Sequence, residues 1–249
     1  MEVAITKRQW NISKKDLKAF CHQKMEDMLS SFNRACSGDF YIADYYHKKF
    51  IIDSPYSLFL CGYSKEFVAE QGFAFFGTIL KKENLNWIMQ MNRVGYKTLF
   101  RLPVHQRTKA IISYDLAVIT ADGEDLILHH KVVPYQLCKN GNMWLGLCHV
   151  AVSSSKTASD QAIFFNAETG ERYNLIGGEF ELSDTKPITK EDMQILRCLI
   201  KGFADKQTIS QLGDITLSAF KTKKQRLFEK LDVNTSTEAI HKAHLMGII

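Results

Sequence analysis

Three stretches of the chain, AIISYDLAVI (Ala110 to Ile119), LILHHKVVPY (Leu126 to Tyr135) and MWLGLCHVAV (Met143 to Val152), are dense in β-branched and aromatic residues. Turn chemistry separates them, Asp122-Gly123 in one gap and Asn140-Gly141 in the other. Apolar runs of this length bounded by Gly-containing turns pair as hairpins, so the pattern predicts an antiparallel three-stranded meander. A sheet of that kind needs an apolar cover on at least one face, and the rest of the chain has to supply it.

Upstream, the spacing predicts a strand in FYIADYYHKKFII (Phe40 to Ile52), short elements from Pro55 to Gly77, and a helix from about Glu83 to Val94. Ser13 and Asp16 form a capping box that opens an amphipathic helix within residues 1–39. Leu17, Phe20, Cys21, Met25, Met28, Leu29, Phe32 and Cys36 recur at three- and four-residue steps, a single apolar stripe that packs on a neighbouring sheet or pairs across a dimer. After Ser153, the polar SSSKTASD reads as a loop. AIFFN and ERYNL form one more hairpin, and GGEFELSDTKP marks a boundary. These elements divide the chain into an N-terminal helix (1–39), an α+β domain (40–153), a hairpin with linker (154–186) and a C-terminal domain (187–249).

Six cysteines are scattered with no C-x-x-C pair and no histidine cluster at ligand spacing, which points to free thiols in a reducing compartment rather than disulfides or zinc. MEVAITKRQWNISKK has none of the features of a signal peptide, and the apolar runs are too short to span a bilayer, so a cytoplasmic protein is expected. No G-x-S-x-G, Walker or H-E-x-x-H pattern occurs, and His129-His130 on a strand would face opposite ways, so no enzyme is expected.

The net charge of +5 is unevenly spread: residues 186–249 carry 11 Lys and Arg against 7 Asp and Glu, whereas the other 185 residues carry 21 against 20. A basic patch confined to one segment is the footprint of a nucleic-acid or anionic surface. That segment reads as four short helices. Thr189 with Asp192 opens the first, and Lys206 to Leu212 form the second. Thr216 caps the third, LSAFKTKKQRLFEKL, and Thr235 with Glu238 opens the last. Helices two and three have helix-turn-helix proportions. On the third, Phe220, Leu227, Leu231, Leu217 and Phe228 share one stripe. Ser218, Lys221, Thr222, Gln225, Arg226 and Glu229 face out, and Lys224 falls at the stripe's edge.

Two resemblances sharpen this picture. The order of elements over Phe40 to Ser153, with the Gly-Tyr-Ser turn in FLCGYSKEFVAEQGFAFFGTILKKEN, resembles a PAS domain. The segment from Ile188 to Ile249 resembles the LuxR/FixJ-type DNA-binding domain, on Ile188-Thr189, Ile195-Leu196, Gly202, Lys206, Ile215-Thr216, Lys221, Leu227, Lys230-Leu231, Val233, Ala239-Ile240, Ala243 and Gly247-Ile248-Ile249. The chain departs from that pattern by one extra residue between Gly202 and Ile215, and by Ala219-Phe220, Lys223 and Arg226 where Thr-Val, His and Asn are usual.

Together the resemblances imply an α+β PAS-like sensory domain followed by an all-α four-helix helix-turn-helix domain. They imply double-stranded DNA as partner, a homodimer, and RNA polymerase as a further candidate partner. By the second resemblance Lys221, Thr222 and Gln225 reach base edges, where Lys donates to guanine, Gln pairs with adenine and the Thr methyl meets a thymine methyl. Lys206, Ser218, Lys223, Lys224 and Arg226 contact phosphates, and Ala239, Ala243 and His244 form the dimer face. The PAS resemblance brings no flavin or haem signature, so no cofactor is expected. A small-molecule ligand between sheet and helices and a filled core both remain open. The competing expectation is a ligand-binding or protein-interaction module without specific DNA binding.

Overall fold

The computed structural model describes residues 12–20, 22–36, 39–153, 162–183, 187–213, 215–246 and 248–249. Ser13 and Asp16 form the expected capping box, but the helix they open is short: α1 (Lys14–Ala19) ends where Phe20 turns extended, and α2 (His22–Ala35) continues the stripe. Cys21 lies outside the described residues. The strand expected over Phe40 to Ile52 is two, β1 (Asp39–Asp44) and β2 (Lys49–Ile51). Asp44 is the reason: its Oδ1 accepts from the amides of Tyr46 and His47 at 3.0 Å each, an Asx turn, and Lys48 completes the reversal at φ 56°.

A 3-10 turn (Leu58–Leu60), α3 (Lys65–Gln71), a second 3-10 turn (Gly72–Phe75) and α4 (Phe76–Ile79) lead to α5 (Lys82–Arg101) and α6 (Val104–Arg107). Helix α5 runs seven residues past Val94. Gly95 invites a stop in the sequence, yet it sits mid-helix because a Cβ there would lie 2.8 Å from Ile112 Cδ1; glycine lets the helix press onto the sheet. At its end Arg107 donates to the carbonyls of Leu102, Gly141 and Phe100, tying the helix to the loop before β5.

The meander forms as expected from β3 (Ala110–Ile119), β4 (Asp125–Leu137) and β5 (Met143–Val152). The following hairpin, β6 (Ala162–Asn166) with β7 (Arg172–Ile176), is part of the same sheet, because β6 pairs with β3. So is β8 (Glu179–Leu182), which falls inside the stretch expected as a boundary. Gly177 and Gly178 make the turn between β7 and β8, and Gly-Gly suits a tight turn as well as it suits a linker. The result is one antiparallel eight-stranded sheet in the order β2-β1-β5-β4-β3-β6-β7-β8.

Alternation along the strands sends side chains to two differently covered faces. Tyr41, Tyr114, Leu116, Leu128, His130, Val132 and Phe164 turn inward beneath α3, α4 and α5. On the other face, Ile42, Ile51, Trp144 and Leu145 receive Leu29 of α2, so the stripe of the N-terminal segment packs on a sheet. Ile111, Ile163 and Phe165 join the core of the last four helices, α7 (Lys190–Ile200), α8 (Asp205–Leu212), α9 (Leu217–Leu231) and α10 (Ser236–Leu245). At the β6–β7 turn, Gly170 has φ +74° and a Cβ there would lie 2.6 Å from the Ile188 carbonyl oxygen, so the sheet meets the helical segment backbone to backbone.

Candidate nucleic-acid interface

Helix α9 is framed from its first residue. Thr216 accepts from the Ala219 amide at 3.2 Å and caps the helix, and Asp232 closes it in the left-handed conformation. Phe220, Leu227, Phe228 and Leu231 are buried with Ile195, Leu196 and Leu199 of α7 and with Ala239 and Ala243 of α10. The opposite face is solvent: Ser218, Lys221, Thr222, Gln225 and Arg226 are all exposed. Thr222 Oγ1 donates to the Ser218 carbonyl at 3.1 Å, and Gln225 donates to Glu229 at 3.4 Å. Lys206, on the first turn of α8, is exposed as well.

The lysines of α9 are not equivalent. Lys221 and Arg226 form no ion pair with any described residue. Lys223, expected at phosphate, is half-buried in an ion pair with Glu191 of α7. Lys224, also expected at phosphate, donates to Asp205 of α8 at 3.1 Å and stands 5.9 Å from the ring centres of both Phe220 and Phe228, which accounts for its place at the edge of the apolar stripe. Lys230 is nearly buried against Asp192, whose carboxylate also accepts from the Thr189 amide and hydroxyl, so one acid caps α7 and anchors α9. The sequence shows the lysines plainly. It hides the acids, because Glu191, Asp192 and Asp205 lie in the first turns of α7 and α8, where acids are ordinary helix-start residues.

Of the expected dimer face, Ala239 and Ala243 are fully buried in this chain's own helical core. Small residues at that spacing serve close helix packing inside the unit. The side chain of His244 lies outside the described residues. Helix α10 also turns Lys242 into a polar seam: burial pushes its ammonium pKa down, nearby Arg172 of β7 pushes it further, and Asp232 and Asp115 pull it back up.

Within the N-terminal unit, His129 and His130 face opposite ways. His129 lies on the outer face, its Nδ1 2.8 Å from Asp115 Oδ1 and its Nε2 3.3 Å from Ser113 Oγ. The three side chains have the order of a hydrolytic triad, yet they sit mid-sheet, with Ser113 and His129 buried and the backbone of β3 and β4 committed to strand pairing. His130 lies inward, stacked on Tyr114 with ring centres 5.4 Å apart and 3.5 Å from the Tyr41 hydroxyl. Burial pushes its imidazole down to about 3, so the ring is neutral, and its Nε2 has no hydrogen-bond partner among the described residues. Two cavities of ≈ 20 and ≈ 30 Å³ adjoin here, sharing Tyr45, Asn92, Tyr96, Tyr114 and Val132. Each has room for a water molecule or two. A wider concavity of ≈ 220 Å³ opens where Trp87, Gln90 and Met91 of α5 meet Leu175, Gly177 and Gly178.

No known protein family and no curated protein matches the chain. Among solved structures, it is similar to the VqmA dimer of Vibrio cholerae in the absence of target DNA, described as a LuxR-type receptor, at 14% identity over 86% of this chain and 85% of that one, with a TM-score of 0.34. It is similar to VqmA bound to DPO at 13% identity over 90% of each chain, TM-score 0.34. A VqmA–ligand–DNA complex from the same bacterium gives 12% identity over 88% and 87%, TM-score 0.32. Likeness at that level leaves the function to be carried by the chain's own residues.

Proposed function

We propose that this protein is a sequence-specific DNA-binding transcription regulator whose PAS-like sheet domain senses a signal or sets the oligomeric state. The observation that carries it is the outward row of Lys221, Thr222 and Gln225 on a capped helix whose other face is locked into a core of three further helices. A helix presented that way can enter a major groove without unfolding anything, and those three side chains have the donors, acceptors and methyl group that base edges require. Arg226, Lys206 and Ser218 flank the row and serve phosphates. The DNA-binding part is 187–249, and the PAS-like part, expected over 40–153, is extended by β6 to β8, which continue its sheet and add Phe164 and Phe180 to its core.

Mobility shift against promoter fragments of the source genome tests the proposal. Lys221→Ala should weaken binding to the preferred fragment about 5- to 100-fold and relax its preference over a scrambled duplex. Affinity and preference both unchanged would remove α9 as the recognition helix.

A further inference from the structure

We infer that Glu191 and Asp205 are built-in competitors of the DNA backbone, carboxylates that hold Lys223 and Lys224 until phosphate displaces them. The inference rests on the DNA-binding proposal above and concerns how strongly that surface binds. The cations of α9 fall into three kinds. Lys221 and Arg226 are exposed and form no ion pair with any described residue. Lys230 and Asp192 are both nearly buried, 14% and 8% exposed, and Asp192 is further held by Thr189; opening that pair would strand a charge and uncap α7.

Lys223 with Glu191 and Lys224 with Asp205 lie between these extremes. Their side chains are 33% and 45% exposed in the first pair and 23% and 38% in the second, so water reaches all four charged groups. Such pairs open at small cost. A phosphate oxygen offers a lysine what a carboxylate oxygen offers, so the two anions compete for one ammonium, and a lysine held by the protein's own acid releases fewer counterions on binding. Lys224 has a second hold in the rings of Phe220 and Phe228, so it should yield less readily than Lys223. The acids would thereby keep non-specific affinity low while leaving the base-reading row untouched.

The test is the salt dependence of binding of the full-length chain to a synthetic duplex of scrambled sequence. Glu191→Gln and Asp205→Asn should each raise affinity about two- to fivefold, the equilibrium equivalent of an exposed ion pair. Each should also steepen the slope of log affinity against log salt by up to about 0.9, the equivalent of one phosphate contact. The gain from Glu191→Gln should vanish in the Glu191→Gln, Lys223→Gln double variant. Glu229→Gln is the control: it removes one acid from the exposed side of α9 that holds no lysine, and should leave the slope unchanged. Circular dichroism confirms that each variant keeps its helices. An equal gain in Glu229→Gln, or a gain that survives the double substitution, would overturn the inference, since bulk charge would then explain it. Salt-dependent wild-type binding that neither acid variant alters overturns it alone. Wild-type binding with no salt dependence overturns the DNA-binding proposal and this inference together.

Discussion

The sheet domain and the helical unit keep their chemistry in opposite places. In the sheet domain one set of polar side chains lies inside: Tyr41, Tyr114 and His130 stack and touch beneath α5, beside two cavities of ≈ 20 and ≈ 30 Å³. In the helical unit the interior is mainly apolar, Ile195, Leu196, Phe220, Leu227, Leu231 and two alanines, with Asp192 and Thr208 the buried polar residues among those described, while Ser218, Lys221, Thr222, Gln225 and Arg226 stand outside.

The contrast makes its strongest demand on Phe220. It is fully buried at the centre of the helical core, so Phe220→Ala should cost about 3–5 kcal/mol. A unit of about 60 residues has little more than that to lose, so α7 to α10 should unfold and DNA binding should disappear. Because, among the described residues, β3 and β6 contribute Ile111, Ile163 and Phe165 alone to that core, the sheet should survive. Amide exchange measures both at once: loss of protection in residues 190–245 with protection kept in β3, β4 and β5. Exchange rising throughout would show that the two regions form one cooperative structure.

The next effect belongs to the enclosed region and follows from His130. Its folded pKa of about 3 lies below the ordinary value of 6.5, so between those values the unfolded chain binds the additional proton. Stability from this residue is therefore complete above pH 6.5 and is lost as the pH falls toward 3. From pH 7 to pH 5 the loss should be about 2 kcal/mol. Urea unfolding of the wild type and of His130→Phe at both pH values isolates the contribution, since the variant should lose about 2 kcal/mol less than the wild type. Equal losses would mean that the imidazole is hydrated or paired in solution and that the interior is less closed than its geometry implies.

The two regions also differ in how much of them could be read in the sequence. The helical unit was legible in its local signals: the Thr189–Asp192 and Thr235–Glu238 capping boxes and the Thr216 cap stand where short-range spacing puts them, while α8 starts at Asp205 rather than Lys206 and α10 ends at Leu245. Helix signals act over three or four residues, and a local pattern suffices. What the spacing could not show was long-range. Lys223 meets an acid 32 positions away and Lys224 one 19 away, and Ala239 and Ala243 turn inward because α7 and α9 close over them. In the sheet domain the meander was legible through Asp122-Gly123 and Asn140-Gly141, both of which lie in the connecting loops. The Asx turn at Asp44, the continuation of α5 through Gly95 and the pairing of β6 with β3 were not: the first is a local side-chain turn set inside an apolar, strand-like run, and the other two are decided by partners far along the chain.

The smallest predicted effect probes the edge of the displayed surface. Thr216 Oγ1 accepts from the Ala219 amide, so it satisfies one of the orphan donors at the start of α9. Thr216→Ala should cost about 1 kcal/mol, too little to unfold a unit whose core is intact. The loss is local: the first turn frays, and that turn carries Ser218, whose carbonyl holds the Thr222 hydroxyl, with Lys221 one residue before it. Duplex affinity should fall by less than tenfold, with the loss concentrated in sequence preference rather than in salt slope, since Arg226 and Lys206 lie beyond the frayed turn. The pH-dependent stability of the sheet domain should be unchanged. A fall in salt slope as large as that from losing a phosphate contact would move Lys221 from base reading to backbone binding, and would redraw the line between the residues that read and those that position.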